Sequence, residues 1–242
     1  MNKLPTHCLR AFVLLGCLAT ACWAQTPPAA APVPNATAKA QRILLVGDSL
    51  MKGLTLPLEN ELAKHPGVVT RSCAEIGTGF ARLDLFNWHQ KISELTKEFS
   101  PNIAVLWIGG NDVQPLKTTK GIFVPGSPEW AGEYAKRVGL AMDLLIAGGV
   151  QRIYWMEVPD MRDEQVQTHA EVIRGIQAKE AKQRPEVTWL PARNLLSQTP
   201  GKYTQYLITD SGPMEVRGED GIHLTARGYK YLAAKLAPSI LP

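Results

Sequence analysis

Five short apolar runs recur along the chain, at residues 42–47, 68–73, 103–108, 152–158 and 187–190. They are continuous rather than alternating and rich in Val, Ile, Leu and Trp, the pattern of strands covered on both faces. Between them lie longer segments of helical period, at 51–64, 88–98, 128–147 and 163–182, and a last one at 225–236 closes the chain. Strand and helix alternating at this spacing imply right-handed βαβ units. The expected fold class is α/β, a single three-layer α/β/α sandwich around a mainly parallel five-stranded sheet, with no internal repeat and no second core. Sheets of this kind bind ligands outside the carboxyl ends of their strands. Chemistry is therefore to be sought in the loops that begin at Gly47, Ala74, Gly109 and Pro159, and in the one near Asp220 before the last helix.

The first forty residues have a different character. Lys3 and Arg10 precede an apolar stretch from 11 to 21 and a small-residue exit at Cys22-Trp23-Ala24, the layout of a secretory signal peptide over residues 1–24. The stretch is well short of the ~20 residues a membrane span needs. Cleavage is expected after Ala24, with a lipoprotein-type cut before Cys17 or Cys22 as the alternative. Residues 25–40 are Ala, Pro, Thr and Asn with almost no charge, and read as a tether. Asn35-Ala36-Thr37 is formally a glycosylation triplet. The folded domain is expected from 41 to 242, and the location to be periplasmic or secreted.

Composition narrows the function classes. The chain has 242 residues, 45% hydrophobic and 20% charged, with a net charge of +4. It is long and apolar enough to bury a full core and too apolar for disorder. Loss of Lys3 and Arg10 leaves 24 basic and 22 acidic groups, too balanced for a nucleic-acid partner. Of four cysteines, Cys8, Cys17 and Cys22 leave with the signal, so Cys73 stands alone, expected as an inert packed thiol ending a buried strand.

Four loops carry residues capable of chemistry. In Gly47-Asp48-Ser49-Leu50, glycine permits a tight turn and places Ser49 at a helix amino end. There the serine either caps the helix or exposes a nucleophilic hydroxyl beside a free N–H. In 217–224, Asp220 and His223 are three apart, suited either to an Asx-type turn with a surface histidine or to a base and the carboxylate that orients it. Gly109-Gly110-Asn111-Asp112 offers close backbone approach and, in Asn111, a neutral amide donor; Asp112 is expected to hold the loop. Glu75-Ile76-Gly77-Thr78-Gly79-Phe80 offers the Gly77 N–H. His65, His89 and His169 fall at a helix end, inside a helix and on a polar face, and are given no role. No Gly-x-Ser-x-Gly, Gly-Lys-Ser/Thr, His-Glu-x-x-His or Cys-x-x-Cys motif is present.

A serine, a glycine, an asparagine and an Asp-x-x-His, in that order after successive strands, resemble the SGNH (GDSL) hydrolase superfamily over residues 41–236. The resemblance implies a flavodoxin-like SGNH hydrolase fold. It also implies Ser49 as nucleophile, His223 as general base and acid, and Asp220 as its carboxylate. Ser49 N–H, Gly77 N–H and the Asn111 side chain would form the oxyanion hole. No cofactor and no metal are implied. Arg82-x-Asp84-x-x-Asn87-Trp88, Gln114 and Arg217 resemble an exported bacterial branch of that superfamily, and Asp48, Asp84, Trp88, Gln114 and Arg217 are expected as substrate contacts.

The function expected on this basis is an exported serine esterase removing a short acyl group, acetyl first among them, from a carbohydrate such as an acetylated polysaccharide. An O-acyltransferase with the same triad, and a non-catalytic carbohydrate-binding protein on the same fold, are the alternatives. The expected partner is an ester substrate, with no nucleic acid and no membrane span after signal cleavage. Residues 121–127 are expected to form a mobile rim rather than the wide apolar lid of a long-chain lipase.

Overall fold

A computed structural model describes residues 40–199 and 201–241. The expected signal peptide with its cysteines, the glycosylation triplet and the expected tether up to residue 39 lie outside the described residues. Five parallel strands build the central sheet: β1 (Gln41–Gly47), β2 (Val68–Ala74), β3 (Ile103–Trp107), β6 (Arg152–Met156) and β7 (Val187–Leu190). Their order is β2-β1-β3-β6-β7. Interleaved helices are α1 (Ser49–Leu62), α2 (Trp88–Phe99), α3 (Pro128–Ala147), α4 (Glu164–Lys182), the short α5 (Ala192–Leu196) and α6 (Ala226–Ile240). Two small antiparallel hairpins stand outside the sheet, β4 (Leu116–Thr118) with β5 (Gly121–Phe123) and β8 (Tyr206–Thr209) with β9 (Gly212–Glu215). No helix among the described residues is long and apolar enough to cross a membrane.

Each strand sorts its side chains by parity, because successive residues point to opposite faces. Leu44, Val46, Ala104, Leu106, Ile153 and Trp155 join the core under α2, α3 and α4. Ile43, Leu45, Val105, Trp107, Tyr154 and Met156 join the core under α1 and α6. Beyond Gln41, Arg42 and Arg152 at their starts, the three inner strands are thus apolar on both faces, which explains the continuous runs. β2 is different: it is an edge strand with Val69 46% exposed, so covering on both faces does not extend to it. Cys73 is accordingly half-buried, packed against the core, and burial pushes its thiol pKa up.

Side-chain caps set the helix starts. Asp48 accepts from Leu50 N, Ser127 from Trp130 N, Asp163 from Gln165 and Val166 N, and Thr225 from Gly228 N. α1 therefore begins at Ser49, two residues before the apolar period does. Segment 121–127 is not merely a rim, since its first three residues pair with β4.

The sheet register aligns the ends that matter. Gly47, the last residue of β1, stands beside Ala74 of β2 and Trp107 of β3. A side chain at Gly47 would meet Trp107 O at 2.0 Å and Met51 Cβ at 2.6 Å. Only glycine lets α1 start this close to the sheet, and the loops after β1, β2 and β3 consequently open side by side.

Candidate active site

Ser49 is the first residue of α1, so its N–H has no partner within the helix. Its Oγ lies 2.7 Å from His223 Nε2, which comes from 174 residues further along the chain. His223 Nδ1 lies 2.6 Å from Asp220 Oδ2, and Asp220 Oδ1 accepts from the backbone N–H of Ile222 (2.8 Å) and of His223 (2.9 Å). The Asx-type turn and the carboxylate–imidazole pair are thus one structure, not alternatives. Burial pulls the Asp220 pKa upward, but the His223 hydrogen bond and the two amides outweigh it and hold it at about 2. An ionised carboxylate accepts only, so Nδ1 carries a proton, and a neutral ring then presents its Nε2 lone pair to the serine hydroxyl.

The other two loops stand next to this line. Gly77 is exposed, with φ +73°, a conformation that L side chains rarely adopt. Asn111 gives one Nδ2–H to Thr78 O at 3.0 Å, which ties the loops after β2 and β3 together and leaves a second N–H on the same nitrogen. Gln114 Nε2 donates to Asn111 O at 2.8 Å, and Trp130 Nε1 donates to Gln114 O at 2.8 Å.

The expected substrate contacts are largely corrected. Asp48, Trp88 and Arg217 are at most 1% exposed, so none of them presents a side chain to a ligand. Asp48 accepts from Leu50 N (2.9 Å), Gly109 N (2.9 Å) and Gly110 N (3.0 Å), clasping the serine turn to the loop after β3. Burial drives its pKa up to about 6, with nearby Asp112 adding to the rise and the three amides opposing it. Trp88 donates from Nε1 to Thr78 Oγ1, which itself donates to Glu75 O, so the indole stiffens the Gly77 loop. Arg217 binds three backbone carbonyls. Asp84 stays at the surface, paired with Arg82 at 2.9 Å, and that pairing lowers its pKa. Gln114 is half-buried and engaged with the Asn111 loop.

Asp112 is expected to hold its loop; the residues that support it carry no signal in the loops. Asp112, fully buried, accepts from Ala81 N and from the Tyr134 hydroxyl (2.6 Å), and Gln177 Nε2 spans Ile108 O and the Tyr134 oxygen. Arg137 donates to Phe80, Ala81 and Lys117 carbonyls. Polar residues on the inward stripe of a helix, such as Tyr134 and Arg137 on α3 or Arg174 and Gln177 on α4, are the pattern that could have revealed them. His89 gives the expected bland result: it is half-buried, its Nε2 lies 2.8 Å from Arg137 O, and burial lowers its pKa. A cavity of about 760 Å³ lies between the β4–β5 hairpin and α3, lined by Lys117, Phe123 and Lys136 among others, and includes neither Ser49 nor His223.

Sheet order, loop placement and overall likeness define the class: the fold is that of the SGNH hydrolases. Among solved structures, the chain is similar to the psychrotrophic esterase EstA from Pseudoalteromonas sp., with 11% identity, 83% of this chain and 96% of that one covered, and a TM-score of 0.55. It is similar to the lipase Lip_vut3 from a goat rumen metagenome, with 13% identity, 83% and 97% coverage, and a TM-score of 0.55. It is also similar to the C-terminal catalytic domain of peptidoglycan O-acetyltransferase A from Streptococcus pneumoniae, with 14% identity, 84% and 94% coverage, and a TM-score of 0.50. At these identities the likeness is one of fold. No curated protein matches the sequence. The chain belongs to the family described as protein of unknown function (DUF459), whose profile matches residues 42–239.

Proposed function

We propose that this protein is an exported serine esterase that removes short acyl groups, acetyl above all, from a carbohydrate. The observation that carries the reading is the unbroken line from Ser49 Oγ through His223 to Asp220, with separations of 2.7 and 2.6 Å, at the carboxyl edge of a parallel sheet. Ser49 Oγ attacks the ester carbonyl carbon while His223 Nε2 takes its proton. The carbonyl oxygen becomes an oxyanion held by Ser49 N–H, Gly77 N–H and the free Nδ2–H of Asn111, donors worth ~2.7–4 kcal/mol each where one has been removed from such a site. His223 returns the proton to the departing alcohol, leaving an acyl group on Ser49. A water deprotonated by His223 then releases the acid and restores the serine.

Support for ester chemistry comes from the site and from neighbours that are themselves an esterase and a lipase. Export rests on the leader-like first 24 residues, and the carbohydrate on export and superfamily resemblance. The test is hydrolysis of p-nitrophenyl esters of rising chain length together with acetylated sugars. Acetate is expected to be the best acyl group, and Ser49→Ala to lower turnover ~10⁴–10⁶-fold with the fold intact. Retained turnover in the alanine variant would remove the mechanism.

An O-acyltransferase reading draws on the likeness to the peptidoglycan O-acetyltransferase domain. The same acyl-enzyme would then be attacked by a glycan hydroxyl instead of water. Incubation with an activated acetyl ester, with and without oligosaccharide, separates the two: free acetate marks the esterase, acetylated glycan the transferase.

A further inference from the structure

The loop that carries Asp220 and His223 has little regular structure of its own. Its only ladder is a single bridge between Arg217 and Leu224, with Gly218 N donating to His223 O at 2.9 Å. What fills the space behind the loop is the Arg217 side chain, 1% exposed. Its Nη1 donates to Asp160 O at 2.7 Å, and its Nη2 donates to Ile222 O at 2.8 Å and Gly221 O at 3.3 Å. Its Cζ lies over the Tyr203 ring, 4.9 Å from the ring centre. One planar cation therefore bolts the two residues immediately before His223 to the segment after β6.

That segment is itself clamped. Arg174, from α4, donates to Val158 O (2.9 Å) and Pro159 O (3.1 Å). Arg193, from α5, reaches the buried Asp160 carboxylate at 2.9 Å, and Gln167 reaches the same oxygen at 2.9 Å. The carbonyl that Arg217 holds is thus a fixed point, two strands away from β1, where the serine turn begins. A lysine could not reproduce the fit, since its single ammonium lacks the planar fork that reaches carbonyls on two segments together.

Resting on the esterase reading above, we infer that Arg217 is a positioning residue, which sets the height and angle of His223 against Ser49 by holding Gly221 and Ile222 to the Asp160 carbonyl. It touches neither substrate nor the reacting atoms. Its loss should misplace the imidazole by a fraction of an ångström to an ångström, a shift that costs up to ~10²-fold in rate without weakening substrate binding.

The experiment compares wild type, Arg217→Lys and Arg217→Met by two readouts: steady-state hydrolysis of p-nitrophenyl acetate, and the downfield NMR proton of the His223 Nδ1–H to Asp220 hydrogen bond, assigned with His223→Gln. For Arg217→Met the expected result is kcat lower by ~10²-fold, KM within about twofold of wild type, and loss or broadening of the downfield proton. Arg217→Lys should fall between, ~10-fold down in kcat. Should the methionine variant fail to fold, the lysine variant decides on the same readouts. Wild-type kcat with an unchanged proton signal in a folded variant would overturn the assignment, as would a rise in KM at constant kcat. If the wild-type protein hydrolyses no ester at all, the esterase reading fails, while the NMR comparison still decides whether Arg217 places the imidazole.

Discussion

Two aspartates flank Ser49, one beside it in the chain and one reached through His223, and their surroundings drive them in opposite directions. Asp48 is fully buried, with a pKa raised to about 6, and its oxygens take three backbone amides from two loops. Asp220 has a side chain about half exposed and a pKa lowered to about 2, and it faces an imidazole. The same functional group is a clasp in one place and an orienting charge in the other. Burial without a counter-charge sets the first, and a hydrogen-bonded ring with two amides sets the second. Position next to the serine is therefore no guide to chemical role; what the carboxylate touches decides it.

The largest effect that sharpens this contrast is on turnover. Asp220→Asn should lower kcat for p-nitrophenyl acetate by ~10⁴-fold, because the amide no longer fixes the imidazole in the tautomer that accepts the serine proton. Its thermal midpoint should stay within a few degrees of wild type, since a half-exposed side chain contributes little to stability. Equal turnover in the two proteins would break the contrast at its functional end.

Next is the pH dependence of stability, where the two residues work with opposite sign. Between about pH 4 and 6 the folded chain keeps the Asp48 proton that the unfolded chain has released. Stability therefore falls as pH rises through that window, by about 3 kcal/mol if the whole shift is expressed. Asp220 acts the other way: its lowered pKa contributes stability that is present above pH 4 and lost as pH falls toward 2. Urea melts across pH 3 to 7 on wild type and Asp48→Asn check this. The variant should lose part of the downward slope, the rest coming from Asp112 and Glu157, whose pKa values burial also raises, and be about 1–3 kcal/mol less stable at pH 4, because its NH₂ must face backbone donors. An unchanged slope would remove Asp48 as its source.

The smallest effect concerns Asp84, the aspartate left at the surface with Arg82. Asp84→Ala should change stability by less than about 0.5 kcal/mol and leave p-nitrophenyl acetate hydrolysis unaltered. A tenfold fall in kcat/KM would restore it as a substrate contact.

The same contrast explains what could be read from the sequence. The three inner strands were legible because they are apolar on both faces, as in Ile43–Val46 and Ile103–Trp107, while the edge strands β2 and β7 showed themselves by their short β-branched runs between helical segments. The serine, glycine and asparagine loops were legible because they follow β1, β2 and β3 directly, and the Asp-x-x-His loop because it immediately precedes the last helix. The hairpins were not: β4, β5, β8 and β9 are three or four residues long, and Ile122 and Ile208 are more than 60% exposed, so neither length nor periodicity marks them. Nor were the jobs of Asp48, Trp88 and Arg217. Asp48 and Arg217 act on backbone atoms of another segment, as Arg217 does on Asp160, 57 positions away, and Trp88 acts on a hydroxyl of the neighbouring loop. A backbone carbonyl or amide has no letter in the sequence, so the residue that binds it looks like any polar or aromatic residue near a site.

Ser49 as the nucleophile is the claim on which the account turns, and covalent labelling tests it most directly. Wild-type protein treated with a fluorophosphonate should gain the mass of one adduct, mapped to the peptide containing Ser49, with the reaction abolished in Ser49→Ala and slowed by orders of magnitude in His223→Ala. An adduct on another residue, or equal labelling of wild type and Ser49→Ala, would contradict it.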